Sequence, residues 1–169
     1  MKILITGGTL DKQYNPLNGE LGFNKSSVAD MLTRSNNTLA TDVEVLMLKD
    51  SLEMNDQDRQ QIADACGKTD DQQILITHGT DTMVETAHAV ANSRLINKTV
   101  VLLGAMVPYQ IQQSDALFNL GCAITAVQLL PAGVYITMNG QVFDYREVEK
   151  NRAQGIFVKS NLVKTNPQQ

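Results

Sequence analysis

The sequence contains no tryptophan, and only four tyrosines and four phenylalanines in 169 residues. So few aromatics leave no row of stacking platforms for single-stranded nucleic acid. Basic residues are also in deficit. Fourteen Lys and Arg stand against eighteen Asp and Glu, a net charge of −4, without the basic stripe that holds a phosphate backbone. Cysteine is scarce. Cys66 and Cys122 form no CxxC pair, and each falls in a helical pattern among small or apolar neighbours. Two buried thiols in a reducing compartment are expected. No cysteine lies near His78 or His88, which are too far apart for an HExxH pair, so no metal site is expected. The apolar run Ile3-Leu4-Ile5 is too short for a signal-peptide core and runs into Gly7-Gly8. No stretch approaches the ~18 apolar residues of a membrane helix. The expectation is a cytoplasmic protein with no membrane or nucleic-acid partner and no metal or organic cofactor.

What is present suits a folded domain. Hydrophobic residues make up 43% and charged residues 19%, too apolar for disorder. The length predicts a single domain over residues 1–169 with a core of its own. Five short aliphatic runs, at residues 3–5, 43–48, 74–76, 99–103 and 134–136, read as strands. Most are continuous rather than alternating, as expected for strands covered on both faces. Helical patterns lie between them. Val28, Met31 and Leu32 mark the first. Asn55 caps the second, with Asp56 and Asp58 at its positive dipole end and Ile62, Ala63 and Cys66 facing inward. Met83, Ala87, Val90 and Ala91 mark the third. Leu117, Leu120, Ile124 and Val127 mark the fourth, with Ser114 as its cap. Alternating strands and helices predict an α/β fold, three-layered, with a mostly parallel doubly wound sheet. Asn139-Gly140 predicts a hairpin turn. The polar tail, residues 161–169, reads as frayed.

In such sheets ligands bind beyond the carboxyl ends of the strands. There stand Thr6-Gly7-Gly8-Thr9, then Asp50-Ser51-Leu52-Glu53, then Thr77-His78-Gly79-Thr80-Asp81-Thr82, then Gly104-Ala105-Met106. Each has a plain structural reading. Gly7-Gly8 serves as a tight turn and matches neither a dinucleotide fingerprint nor a P-loop. Thr80, Asp81 and Thr82 serve as helix caps. His78 reads as a hydrogen-bonded core group, and Lys150 as a solvated charge. Taken together, however, two threonine hydroxyls, a carboxylate and a lysine make a nucleophile-and-base set. A threonine hydroxyl needs a partner to take its proton, and backbone N–H groups of the glycine turns can stabilise an oxyanion. The residues point to acyl transfer by a threonine nucleophile.

The segments Thr6-Gly7-Gly8-Thr9, Thr77-His78-Gly79-Thr80-Asp81-Thr82, Gly104-Ala105-Met106 and Ser114-Asp115 with Asn119-Leu120 resemble, in order and approximate spacing, the N-terminal domain of the bacterial L-asparaginase family. The hexapeptide is the most specific of these. The likeness covers nearly the whole chain and is best to short, single-domain asparaginases that lack the family's C-terminal domain. It implies a flavodoxin-like fold and hydrolysis of L-asparagine to L-aspartate and ammonia through an acyl-enzyme. By motif, it implies Thr9 as nucleophile and Tyr14, in the following loop, as its activator. Thr80 and Asp81 are implied as the second threonine and its aspartate, and Lys150 as the lysine of the family's Arg-Asp-Val-Thr-Lys pattern. Gly8, Ser51, Leu52, Gly79, Thr80, Asp81 and Ala105 are implied at the substrate, with Asp81 at its α-amino group. It also implies a homo-oligomer, a dimer or a dimer of dimers.

This sequence departs from the family pattern in four places, one of them Leu10 and Asp11 after Thr9, where many members have isoleucine and a small residue. Leu52 stands where the family has a substrate-binding glutamine, and Val107 where an arginine is common. The C-terminal domain, which in larger members brings an acidic residue near the substrate amine, has no counterpart in residues 1–169. Glu53 and Glu20 are the acidic candidates for that role. A module that binds aspartate without catalysis, and an amidase for glutamine or another amide, are the competing readings.

Overall fold

The computed structural model describes residues 1–93 and 95–160. The expected fraying of residues 161–169 lies outside them. The chain runs β1 (Lys2–Gly7), β2 (Gln13–Asn15), β3 (Glu20–Gly22), α1 (Val28–Arg34), β4 (Asp42–Lys49), α2 (Asp56–Lys68), β5 (Gln73–Thr77) and α3 (Met83–Asn92). It continues through β6 (Thr99–Leu103), α4 (Ala116–Leu129), β7 (Gly133–Met138), β8 (Gln141–Asp144), β9 (Val148–Asn151) and β10 (Ile156–Lys159). The central sheet has the order β4-β1-β5-β6-β7-β8. Its first five strands are parallel, and β8 adds antiparallel through the Asn139-Gly140 turn. Counting only the parallel strands gives the order 2-1-3-4-5, that of flavodoxin-like sheets.

Alternation along each strand feeds two cores. Leu4, Ile74, Ile76, Val100 and Leu102 pack against Ile62 and Cys66 of α2, Met83, Ala87 and Val90 of α3, and Phe157 of β10. Ile3, Ile5, Leu75, Val101 and Leu103 face Val28 and Met31 of α1 and Leu120, Ala123 and Val127 of α4. The three predicted layers are therefore present. The α2 cap is a full capping box: Asn55 accepts from Gln57 and Asp58 while Asp58 accepts from the Asn55 N–H. At the hairpin, Asn139 (φ 55°) and Gly140 (φ 74°) both occupy the left-handed region that a type I′ turn requires.

Four sequence expectations are corrected. The run at 43–48 is not covered on both faces. It forms the edge strand β4, whose first four residues are exposed. On α4, Leu117 is exposed, Ile124 is half-buried, and the inward face is Ala116, Asn119, Leu120, Ala123, Ala126 and Val127. Ser114 lies one residue before the N-cap, Asp115, and its hydroxyl accepts from the Ala116 N–H. Cys66 is buried, but Cys122 is only half-buried.

The segment after Thr9 is a two-stranded ribbon, β2 with β3, standing off the main sheet, with Tyr14 paired to Leu21. A second ribbon, β9 with β10, folds back over the sheet and carries Lys150 opposite Phe157. Among the described residues no helix is long and apolar enough to cross a membrane.

Candidate active site

The carboxyl ends of β1, β4, β5 and β6 meet because their glycines let backbone approach backbone. Gly8 (φ 79°) donates its N–H to the Lys49 carbonyl at 3.0 Å. A Cβ on Gly8 would stand 2.3 Å from the Gly79 nitrogen, and one on Gly79 would stand 2.5 Å from Ser51 Oγ. One on Gly104 would stand 2.4 Å from the His78 carbonyl oxygen. No side chain fits such spaces, so these loops close only as glycines. Gly8, Ser51 and Gly79 are thereby brought together as expected. Ser51 is buried, and its carbonyl accepts from the Thr82 hydroxyl at 2.7 Å. Thr82 occupies the N-cap of α3, but its hydroxyl binds across to Ser51 and not to its own helix.

Three of the five predicted catalytic groups form one hydrogen-bonded cluster. Lys150 Nζ donates to Thr80 Oγ1 at 2.7 Å and to Asp81 Oδ1 at 2.9 Å. The Lys150 side chain is only 9% exposed and that of Asp81 35%, so the solvated-charge reading of Lys150 is excluded. Since the Thr80 oxygen accepts from the lysine, the hydroxyl's own proton is directed at Met106 Sδ, 3.7 Å away. A thioether is a weak acceptor, which leaves that proton available for a better one. Thr9 opens a single 3₁₀ turn, Thr9–Asp11, straight after the Gly8 bend. It is half-buried.

Tyr14 stands apart. It is 60% exposed on β2, and with Asn15, Pro16 and Phe23 it lines a cavity of about 430 Å³ in the ribbon itself. Leu52 is 64% exposed, and Glu20 and Glu53 are exposed. Ala105 is fully buried, in a loop held from below by Asp115, whose carboxylate accepts from the Met106 and Val107 N–H groups at 3.0 Å. Asn119 extends that latch by donating to the Gly104 carbonyl and accepting from the Asn139 N–H, and Asn139 in turn accepts from the Phe157 N–H at 2.9 Å. The Ser-Asp and Asn-Leu motifs are thus the brace of the β6 loop and of the Lys150 ribbon.

His78 is a core group, as read from sequence. It is fully buried, and burial pushes its imidazole down to about 4. A carbonyl can only accept, so Nδ1–H donates to the Gly79 oxygen at 2.7 Å, and neutral Nε2 accepts from the Thr86 hydroxyl at 2.8 Å. Its effect is to fix the Gly79 peptide beside Ser51.

Sequence reasoning gave no role to three charges near the site. Arg152 donates to the Asp81 carbonyl at 3.3 Å, with its Nε 3.9 Å from Asp81 Oδ1. The signal for it was its place two residues beyond Lys150. Lys12 and Asp50 form an ion pair between the Thr9 turn and the Ser51 turn. Lys12 holds the Asp50 carboxyl below the usual carboxylate range. No local pattern announced that pair, because its members lie on different strand ends.

Comparison with known proteins identifies the family and the fold. The family model described as Asparaginase, N-terminal, matches residues 1–160. L-asparaginase 2 of Escherichia coli K12 is 40% identical over 94 residues, covering 54% of this chain and 26% of that protein. A glutamyl-tRNA(Gln) amidotransferase component of Saccharolobus islandicus is 31% identical over 151 residues, covering 85% of this chain and 34% of that protein. The crystal structure of a probable cytoplasmic L-asparaginase from Campylobacter jejuni superposes with a TM-score of 0.83 at 26% identity, over 95% of this chain and 52% of that one. The chain therefore spans about half the length of that solved neighbour, and less of the curated relatives it matches.

Proposed function

We propose, from the premise that this chain belongs to the asparaginase family as its N-terminal domain, that it hydrolyses L-asparagine to L-aspartate and ammonia, with Thr9 as nucleophile. The observation that carries the reading is Lys150 Nζ held between Thr80 Oγ1 and Asp81 Oδ1 at the mouth of the strand ends. Thr9 Oγ1 attacks the side-chain amide carbon and the C–N bond breaks. Its proton leaves on the departing ammonia, and the β-aspartyl group stays as an ester on Thr9. Water then attacks the ester and returns a proton to Thr9 Oγ1. Backbone N–H groups at the glycine bends, other than that of Gly8, which is bound to the Lys49 carbonyl, stabilise the charge that develops on the carbonyl oxygen. The Thr80 hydroxyl, oriented by Lys150 and Asp81, relays the proton, and in the second step it orients the water. Asp81 and Ser51 hold the amino-acid end. Tyr14 acts when the β2–β3 ribbon folds over the bound substrate, which brings its hydroxyl to Thr9 and excludes water.

Incubation of the isolated chain with L-asparagine tests this directly. Equal amounts of aspartate and ammonia are expected, and absence of both overturns the proposal. A second reading, hydrolysis of a different amide, is favoured by the amidotransferase among the relatives and by Leu52 in place of a polar side chain. Glutamine in the same assay decides between them. Self-association and a cytoplasmic location belong to this proposal too. Sedimentation velocity tests the first and cell fractionation the second.

A further inference from the structure

Asp11 is a buried carboxylate to which the asparaginase reading gives no task. It is among the departures from the family pattern, so the resemblance implies no role for it either. Asp11 is the last residue of the Thr9 turn. Its N–H donates to the Gly8 carbonyl and the Lys12 N–H donates to the Thr9 carbonyl, each at 3.1 Å. Its side chain is fully buried, and Oδ1 accepts from the Ser26 hydroxyl at 3.0 Å and from the Ser27 N–H at 2.7 Å. Oδ2 is buried without a partner among the described residues. Burial pushes this carboxyl above its usual range, against the pull of those two donors. A neutral hydroxyl or amide could join two loops at lower desolvation cost. What the charge adds is strength, because hydrogen bonds to an ionised acceptor are roughly twice as strong as neutral ones.

The β2–β3 ribbon leaves the Thr9 turn directly after Asp11 and comes back to it at Ser26 and Ser27. Both ends of the ribbon therefore meet at one carboxylate oxygen. Burial changes sharply there on each side. Leu10 and Asp11 are fully buried, whereas residues 14–22 are all exposed. On the return, Asn24 and Lys25 are exposed, and Ser27 and Val28 are buried. Leu10 adds a second tie to the body, its carbonyl accepting from the Tyr109 N–H at 3.2 Å. A single 3₁₀ turn is a short, weakly held element. Without a clamp, an arm attached directly to it would pull on Thr9 whenever the arm moved.

We propose that Asp11 is the positioning residue that isolates Thr9 from the ribbon. Its carboxylate pins the returning end of the ribbon to the Thr9 turn, so that the ribbon swings about a fixed neck and the nucleophile stays in place. The effect on turnover rests on the asparaginase reading, whereas the clamp itself does not. A displacement of about 1 Å at a reacting group can cost on the order of 10²-fold in rate, so the clamp acts on kcat. Binding of the amino-acid end by Asp81 and Ser51 is left alone.

The test compares wild type with Asp11→Ala, Asp11→Asn and Ser26→Ala, by ammonia release from L-asparagine and by residue-resolved amide exchange. Asp11→Ala is expected to lower kcat on the order of 10²-fold and to keep KM within about threefold. Asp11→Asn keeps an oxygen in the place of Oδ1, and is expected to recover at least about tenfold of that loss. In Asp11→Ala the amides of residues 11 and 12, slow in wild type, should exchange nearly as fast as those of residues 14–22. Ser26→Ala removes one of the two donors and no part of the turn. It is expected to show the same two effects at several-fold size, and it carries the test if Asp11→Ala does not fold. Unchanged kcat and unchanged exchange in Ser26→Ala overturn the proposal. So does a fall in kcat in Asp11→Ala with the amides of residues 11 and 12 still slow, a raised KM at unchanged kcat, or an Asp11→Asn variant no better than Asp11→Ala. If wild type releases ammonia from no amide, the asparaginase reading fails and exchange alone decides the clamp. Fast exchange at residues 11 and 12 in Asp11→Ala then upholds it, and slow exchange overturns it.

Discussion

The strand-end cluster and the Tyr14 ribbon are built in opposite ways. Thr80, Ser51, His78 and Ala105 are buried, and their loops are braced by hydrogen bonds from Thr82, Thr86 and Asn119 and by the Asp115 carboxylate, which accepts from the Met106 N–H. The ribbon holds itself with local bonds, such as Asn18 to Glu20, and leaves Tyr14, Leu17 and Leu21 exposed. The first region is positioned by the sheet and has its geometry before substrate arrives. The second has few tertiary contacts, as expected of an element that moves. In this protein the braced groups lie at the sheet and the loosely held ones on the ribbon.

Variants can break that division, and the largest effects belong to the rigid side. Thr9→Ala removes the proposed nucleophile and is expected to lower kcat by about three orders of magnitude or more, read as ammonia release, with far-ultraviolet circular dichroism unchanged. Lys150→Met leaves the Thr80 hydroxyl and Asp81 without their shared partner. A loss of about 10²–10⁴-fold in kcat is expected, with a normal melting temperature, because the aliphatic stem still packs. An unaltered kcat would return Lys150 to a merely structural role.

The next effect is on stability. His78 is neutral in the folded chain, with its imidazole near 4, whereas in the unfolded chain it takes up a proton at about 6.5. The unfolded state therefore binds more protons between those values, and stability falls as pH drops from about 6.5 towards 4. The loss from this one group approaches roughly 3 kcal/mol at the lower end. Denaturant titrations at neutral pH and near pH 4.5 measure it, and a flat profile would contradict the buried neutral imidazole. The smallest effect belongs to the ribbon. Tyr14→Phe is expected to lower kcat about 10-fold without changing the melting temperature. Amide exchange in residues 13–22 should be fast in the free chain and slower with L-aspartate bound.

The same division explains what was legible in the sequence. Strand ends carry their chemistry in consecutive residues, so Thr77-His78-Gly79-Thr80-Asp81-Thr82 reads directly as a site, and the aliphatic runs with their helices give the sheet. Lys150 entered the nucleophile-and-base set on residue type alone and was matched to a family position only through resemblance, because nothing local distinguishes it from a solvated lysine until the β9–β10 ribbon brings it to Thr80. The Lys12–Asp50 pair was missed for the same reason: its members are 38 residues apart and meet only once β4 lies beside β1. The exposed half of β4 was misread because an apolar run signals a strand but not its place in the sheet. Burial follows from the strand order, which a single sequence states only weakly.

The central claim, that Thr9 carries the acyl group, is tested most directly by peptide-resolved mass spectrometry of the chain acid-quenched during turnover of L-asparagine. A β-aspartyl ester on the peptide containing Thr9 is predicted. The same ester on the peptide containing Thr80, with Thr9 unmodified, would contradict it.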